Sequence, residues 1–181
     1  MRELNLTPFP ILETDRLVLR QISIDDAEDI LRLRSNDEAI KYIHKPKLTS
    51  IDDAIELIKI MNSPDRIQWG IALKNENKII GTIGYHRIIK EHYRAEIGYM
   101  LHPQYWNNGL MNESIKKIID FGFDEMKLHS IEAIINPENN ISRKILQKFN
   151  FINEAYFKEN FFFEGKFFDS EVYSLVKNDC S

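Results

Sequence analysis

The chain has almost no cysteine: Cys180, next to the last of 181 residues, is the only one. A disulfide framework and a thiolate metal cluster are therefore excluded, and a reducing compartment is the simplest setting. A chain end is also a poor place to hold a nucleophile in fixed geometry, so Cys180 is not expected to act as one. The five histidines, His44, His86, His92, His102 and His129, show no metal-ligand spacing, and no metal is expected. No apolar run approaches the roughly 20 residues needed to cross a bilayer. Met1 to Pro10 carries no apolar stretch of the secretory kind either. The expectation is a cytoplasmic protein with no membrane partner. A net charge of −4 gives no general attraction to nucleic acid, so direct binding to it is not expected. Repeats, low-complexity tracts and linkers are lacking too, which leaves one domain over residues 1–181.

What is present is an apolar content of 43%, enough for a sizeable core in a chain of this length. Arg16 to Ile22 alternates as a strand. Ser23 with Asp26, and Ser50 with Asp53, are N-cap signals opening two helices. Ala27, Ile30, Leu31 and Leu33 follow at roughly helical spacing in the first; Ile51, Ala54, Ile55, Ile58 and Met61 mark the second. Ile67 to Leu73 and Lys78 to Tyr85 read as a hairpin turning at Asn75-Glu76-Asn77. Tyr93 to Leu101 is the next strand, with Tyr93, Ala95, Ile97, Tyr99 and Leu101 on one face and Arg94, Glu96, Gly98 and Met100 on the other. A helix follows from about Asn108 to Met126, then a short strand Ser130 to Asn136, and a helix Asn140 to Phe149. Phe151 to Lys177 reads as two strands joined near Glu164-Gly165-Lys166. The order β-α-α-β-β-β-α-β-α-β-β, with single alternation in the middle and hairpins outside, gives a mixed α/β sheet.

Two segments carry the chemistry. In Trp106-Asn-Asn-Gly-Leu-Met111 a strand has ended, a polar turn with one glycine follows, and a helix begins. The first N–H groups of a helix lack internal partners, and the helix dipole adds partial positive charge there. A phosphate or diphosphate can be held at such a place without basic side chains, and Gly109 lets the backbone approach it closely. An ordinary loop leading into a helix would look the same in isolation. The second segment is Asn136-Pro-Glu-Asn-Asn-Ile-Ser-Arg-Lys-Ile-Leu-Gln-Lys-Phe-Asn-Phe151.

The run Ala95 to Glu113 resembles the acetyl-CoA-binding motif of the GNAT acetyltransferases, and looks most like the RimJ/RimL-like branch that modifies ribosomal-protein N-termini. Leu12-Glu-Thr-Asp-Arg-Leu-Val-Leu-Arg20 is similar to the first strand of that branch. Pro137-x-Asn139-x-x-Ser142-x-x-Ile-Leu-x-Lys148-x-x-Phe151 resembles its second block. Trp106 fills the first place of a loop that in the wider superfamily reads Gln/Arg-x-x-Gly-x-Gly/Ala, and Met111 fills the last. Asn150 stands where a glycine usually ends the second helix, and Asn is the next best residue for a left-handed cap. The resemblance implies a GNAT fold: a mixed central sheet of about seven strands, helices on both faces, and two central parallel strands splayed apart. It also implies acetyl-CoA as co-substrate. The backbone of Met100 and Leu101 would pair with the pantetheine arm, and Gly98 would leave room beside it. The N–H groups of Asn107, Asn108, Gly109, Leu110, Met111 and Asn112 would hold the diphosphate, and Asn139 would bind the arm from the opposite side.

Acetyl transfer to an amine needs a neutral amine, an oxyanion stabiliser and a proton for the leaving thiolate. A free α-amine has a pKa near 8, so its deprotonation is a modest demand. Glu96 is the candidate base, directly or through a water, being the only acid in the strand that leads to the turn. The competing reading pairs it with Arg94 or Arg87 across the sheet. A backbone N–H at Met100 or Leu101 would polarise the thioester carbonyl. Many GNAT enzymes use a tyrosine as the acid, but Leu146 stands at the corresponding place here. The match to the RimL-like pattern makes Ser142 the donor to the thiolate; otherwise it is an early-helix serine satisfying local backbone.

Arg143, Lys144 and Lys148 form a basic helical face, either solvated or meeting the 3′-phosphate of coenzyme A. Among Phe157, Phe161, Phe162, Phe163, Phe167 and Phe168, alternate members would pack the last hairpin against the sheet. The rest are left for an acceptor-pocket wall or a homodimer interface. The acceptor implied by the resemblance is a protein N-terminal α-amine. Small amines such as polyamines, amino acids or antibiotics are the alternative, and a catalytically idle coenzyme A-binding module is a third reading. Direct transfer in a ternary complex fits, since no cysteine is near the site to carry an acyl group.

Overall fold

A computed structural model describes residues 7–177; Cys180 lies outside the described residues. The strands are β1 (Leu12–Glu13), β2 (Leu17–Gln21), β3 (Ile67–Leu73), β4 (Ile79–Ile89), β5 (Arg94–Leu101), β6 (Ser130–Ile135), β7 (Ile152–Phe163) and β8 (Lys166–Val176). The helices are α1 (Ala27–Arg34), α2 (Asp37–Ile40), α3 (Ile51–Met61), α4 (Leu110–Asp124) and α5 (Asn140–Lys148). The strands form one eight-stranded sheet in the order β1-β2-β3-β4-β5-β6-β8-β7. All neighbours are antiparallel except β5 and β6, which are parallel. This is the mixed α/β sheet of the GNAT fold. It has one strand more than the sequence pattern suggested, because Leu12–Glu13 is too short for periodicity to register. Helix α2, a single turn capped by Asn36, escaped notice for the same reason.

The helices lie on both faces. Leu110, Met111, Ile115 and Ile118 of α4 and Leu146 of α5 bury against Leu17, Leu19, Trp69, Ile83, Tyr85, Ala95 and Ile97. On the opposite face Ile30 of α1 with Ala54 and Ile58 of α3 cover Ile22, Ala72 and Ile79. The strand alternation that separates Ala95 and Ile97 from Glu96 therefore decides which residues meet α4 and which look away from it. Among the described residues no helix is long and apolar enough to cross a membrane.

Local chemistry explains the boundaries. Ser50 Oγ accepts from Asp53 N at 3.1 Å while Asp53 accepts from Ser50 N at 3.0 Å, a reciprocal cap. At Ser23 only half of that cap forms: Asp26 Oδ2 accepts from Ser23 N at 2.8 Å. Asp26 N donates instead to the Ser23 carbonyl at 3.1 Å and closes a 3-10 turn, Ile24–Asp26, so the α-helix proper begins at Ala27. Asn150 is left-handed with φ 61°, and Phe151 N–H reaches back to the Leu146 carbonyl at 3.0 Å, which ends α5. Glu164 and Gly165, φ 45° and 80°, make the two-residue turn between β7 and β8.

One buried contact ties α4 to the sheet. Tyr85 is fully buried, and its hydroxyl donates to the Ile118 carbonyl at 2.8 Å. A Cβ on Gly122 would stand 2.2 Å from that hydroxyl, so the helix reaches its depth only because residue 122 has no side chain. Tyr85→Phe should cost about 1 kcal/mol of stability and Gly122→Ala about 1–3 kcal/mol through overpacking, both read from urea unfolding midpoints. Equal midpoints for wild type and Gly122→Ala would mean that α4 is free to shift.

Candidate active site

Strand β5 pairs with β4 from Ile89↔Arg94 to Gly81↔Leu101, with one register slip between His86 and Ile89. With β6 it pairs only at Arg94↔Ser130, Ala95↔Ile131 and Glu96↔Glu132. Beyond that point β6 stays with β8 as far as Ile135↔Glu171. The edge of β5 from Ile97 to Leu101 has therefore lost its strand partner, and a wedge opens between the two parallel strands. Unpaired strand backbone inside a sheet offers donors and acceptors for an extended ligand. Of the two sequence candidates for that role, Leu101 turns its N–H to this edge, whereas Met100, in step with the His102 N–H that donates to the Ile80 carbonyl, turns its backbone groups to Thr82 of β4.

At the far end of β5 the chain turns through Pro103–Tyr105 into α4. The Trp106 indole N–H donates to the Leu101 carbonyl at 2.7 Å and anchors the turn to the strand. Asn107 and Gly109 are left-handed, with φ 60° and 76°. The N–H groups of Asn107, Asn108, Gly109, Leu110, Met111 and Asn112 have no acceptor within the described residues; the helix's first internal bond is Glu113 N to Gly109 O at 3.1 Å. The arrangement is an anion cradle built from backbone. Asn112 Oδ1 is buried beside it without a partner, an acceptor that a ligand hydroxyl or amine would satisfy.

Sequence reasoning missed what holds the cradle. Glu113 accepts from the Arg16 backbone N–H at 2.9 Å, from Arg16 Nε at 2.8 Å and from the Thr14 hydroxyl. Arg16 Nη1 in turn donates to the Asn108 carbonyl at 3.0 Å. Burial would raise the Glu113 carboxyl, but these donors more than offset it and hold it below its usual range. The clasp is thus intact at neutral pH and is lost only as pH falls through that depressed value. The block Leu12 to Arg20 stood out in the sequence, yet nothing there linked Arg16 to residue 108.

Across the wedge, Asn139 Oδ1 accepts from Ser142 N at 3.0 Å and caps α5, leaving its Nδ2 end for other partners. Ser142 lies beside Tyr99, which projects from β5 toward α5. The Tyr99 hydroxyl is buried, makes no well-formed hydrogen bond, and has its pKa pushed up to about 12 by burial, against a smaller lowering by Ser142. Its position among apolar residues gave no sign of a polar role. Leu146 is fully buried in the core and has no proton to donate, which leaves Ser142, one turn earlier on the same side of α5, as the hydroxyl there.

Glu96 sits at the last paired position, on the face away from α4. Burial raises its pKa, opposed by Arg87 and Arg94. The ion pair foreseen for it exists but is long: Arg87 Nη2 is 3.6 Å from Glu96 Oε2. Arg94 turns to Glu132 instead, and Arg87 approaches Glu132 at 2.5 Å. The space expected over Gly98 is filled. A Cβ there would meet His86 Nε2 at 2.5 Å, because the buried imidazole lies on it. Burial, then Arg66 and Lys45, lower the His86 pKa to about 4, so the ring is neutral at pH 7.

The open side is walled by aromatics. His44 stacks on Phe168 with centroids 3.9 Å apart, lies 5.5 Å from Phe161, and its Nε2 is 3.2 Å from Asn136 Nδ2. Loop 41–50 thereby closes onto the tip of the β7–β8 hairpin, which packs there rather than against the sheet. Phe157, Phe162 and Phe167 stay exposed. Arg143 is not free for a phosphate, since Glu171 holds it at 3.1 Å and the Pro137 carbonyl at 2.5 Å.

Residues 16–152 match the family described as the acetyltransferase (GNAT) domain. The chain is 40% identical over 173 residues to YoaA, an uncharacterised N-acetyltransferase of Bacillus subtilis, with 93% of this chain and 98% of the relative covered. It is 24% identical to a spermidine N(1)-acetyltransferase of Vibrio cholerae, with 85% and 89% covered. A solved GNAT-family acetyltransferase of Bacillus anthracis superposes with a TM-score of 0.83 at 28% identity, covering 92% and 98% of the two chains.

Arg16→Ala removes the clasp while leaving every cradle N–H in place. Coenzyme A affinity, measured by calorimetry, should fall about tenfold, the loss of one charge-assisted contact. Unchanged affinity would show that the cradle holds its shape without Arg16.

Proposed function

Since the chain belongs to the GNAT acetyltransferase family, we propose that it transfers the acetyl group of acetyl-CoA to a protein N-terminal α-amine, by direct transfer in a ternary complex. The observation that carries this reading is the half-buried Glu96 carboxylate at the point where β5 and β6 part, with 23% of its side chain exposed. A carboxylate there is reached by an acceptor from the face away from α4 and by a thioester lying in the wedge.

The cradle from Asn107 to Asn112 fits the diphosphate through its unpaired N–H groups. The free edge at Tyr99 and Leu101 fits the amides of the pantetheine arm, with Asn139 meeting it from the α5 side. Glu96 takes the proton of the incoming ammonium, directly or through one water. Its raised proton affinity suits an acceptor whose own pKa is near 8. The Leu101 N–H stabilises the oxyanion. Ser142 donates to the departing sulfur, and the buried Tyr99 hydroxyl beside it supports that hydrogen bond.

The RimJ/RimL-like pattern in three blocks of the sequence favours a peptide acceptor, and the site's charge agrees. Lys41 and Lys45 stand on the loop that closes over the aromatic wall, where a polycation would be repelled and a singly charged peptide terminus much less so; Lys47 on the same loop is paired with Asp37 at 2.6 Å. A panel of N-terminal peptides, polyamines and amino acids, read by coenzyme A release and mass spectrometry, tests this. Peptides should turn over and spermidine should not. Preference for spermidine would move the acceptor to the small amines, and binding of acetyl-CoA with no transfer to any amine would indicate an idle module.

Glu96→Gln should lower kcat by about 100-fold and Ser142→Ala by about tenfold, with acetyl-CoA affinity nearly unchanged in both. Wild-type turnover should fall as pH drops through the raised Glu96 value. Unaltered turnover in either variant removes that residue from the mechanism.

A further inference from the structure

Glu96 and Glu132 are direct neighbours in the parallel register. Like charges so placed repel unless cations lie between them. Glu132 is nearly inaccessible, with 6% of its side chain exposed, and it holds both Arg87 and Arg94. Arg87 reaches it through a distortion. The β4–β5 register slips between His86 and Ile89, and Arg87 is left-handed with φ 41°. Such a bulge re-aims a side chain that alternation would otherwise send to the opposite face, at a backbone cost of about 1–2 kcal/mol for a residue with a Cβ. The distorted backbone carries a guanidinium to 2.5 Å from Glu132 and only 3.6 Å from Glu96.

We propose that Glu132 is a positioning residue for the reaction: it draws both arginines onto itself, so that Glu96 stays out of a tight ion pair and is free to accept a proton. This rests on the reading of Glu96 as the base. The groups around Glu96 are His86 and Arg87 of β4, Arg94 on its own strand and Glu132 of β6, with Ser174 of β8 next in the row. His86 is neutral at pH 7, and Lys45, Asp65 and Arg66 act on it. The two arginines are therefore the cations that bear on Glu96. Glu132 decides where they point.

Two variants separate this from a merely structural ion pair, because they should move Glu96 in opposite directions. In Glu132→Gln the arginines lose their counter-charge and close on Glu96. Its titration, and the acid limb of kcat/KM, should move to lower pH, and turnover at pH 7 should fall about tenfold or more. In Arg87→Ala, a site with 57% side-chain exposure that should fold, a neighbouring cation is gone and both should move to higher pH. Carboxyl NMR of glutamate-labelled protein, with the Glu96 signal identified by its loss in Glu96→Gln, reads the titration without any acceptor. It therefore judges Glu132 even if no amine is acetylated, while failure of wild type to acetylate would count against the function alone. If Glu132→Gln does not fold, Arg87→Ala still decides. A Glu96 titration unmoved in Arg87→Ala, or moved the same way in both variants, overturns the proposal.

Discussion

The site depends on one constraint: the hydrogen bonding of β5 to β6 stops at Glu96↔Glu132 while each strand keeps its other partner. Had pairing continued, residues Ile97 to Leu101 would have bonded to β6 and the sheet would have been closed. Because it stops, a strand edge is left unpaired in the middle of an eight-stranded sheet, flanked by a helix start on each side. The wedge brings Tyr99 of β5 against Ser142 of α5, and it leaves Glu96 at its apex. An extended ligand entering it gains strand-like hydrogen bonds without adding a strand.

The machinery around the wedge relies on backbone in uncommon conformations more than on charged side chains. Asn107 and Gly109 are left-handed in the cradle, Asn150 closes α5, and Arg87 marks the bulge beside Glu96. Local strain of this kind persists only where surrounding contacts fix it. Here the fixing contacts are the Trp106 indole on Leu101, the Arg16–Glu113 clasp, the Leu146–Phe151 cap and the buried Glu132. The cradle itself carries no basic side chain, and the nearest guanidinium, Arg16, is occupied with Glu113 and Asn108.

Much of this was legible in the sequence, for reasons that can be named. The alternation from Arg94 to Leu101 separated Glu96 from the apolar face, although Tyr93, read as the start of the strand, is left-handed and exposed ahead of it. The strand–turn–helix pattern marked Asn107 to Asn112, and Asn150 was readable as a left-handed cap. What was not legible depends on contacts between distant segments or on broken periodicity. Arg16 lies more than ninety positions from Glu113. Arg87 was readable as a partner for Glu96, but its hold on Glu132 comes through a bulge that leaves no trace in the pattern. Tyr99 read as a core residue because its hydroxyl leaves no periodic trace, and His86 could not be seen to fill the space over Gly98. Glu132 did leave a signal, an acid between Ile131 and Ala133 in an apolar strand, but its partners came only with the fold.

The central claim is that the free edge of β5 and the N–H groups at the start of α4 together receive acetyl-CoA. Amide hydrogen exchange, residue by residue, with and without acetyl-CoA tests it most directly. Amides of Tyr99 and Leu101 and of Asn107 to Asn112 should slow together on adding acetyl-CoA, and remain fast with an acetyl thioester that lacks the nucleotide diphosphate. Protection confined to another surface, or absent from both segments at saturating acetyl-CoA, would contradict the account.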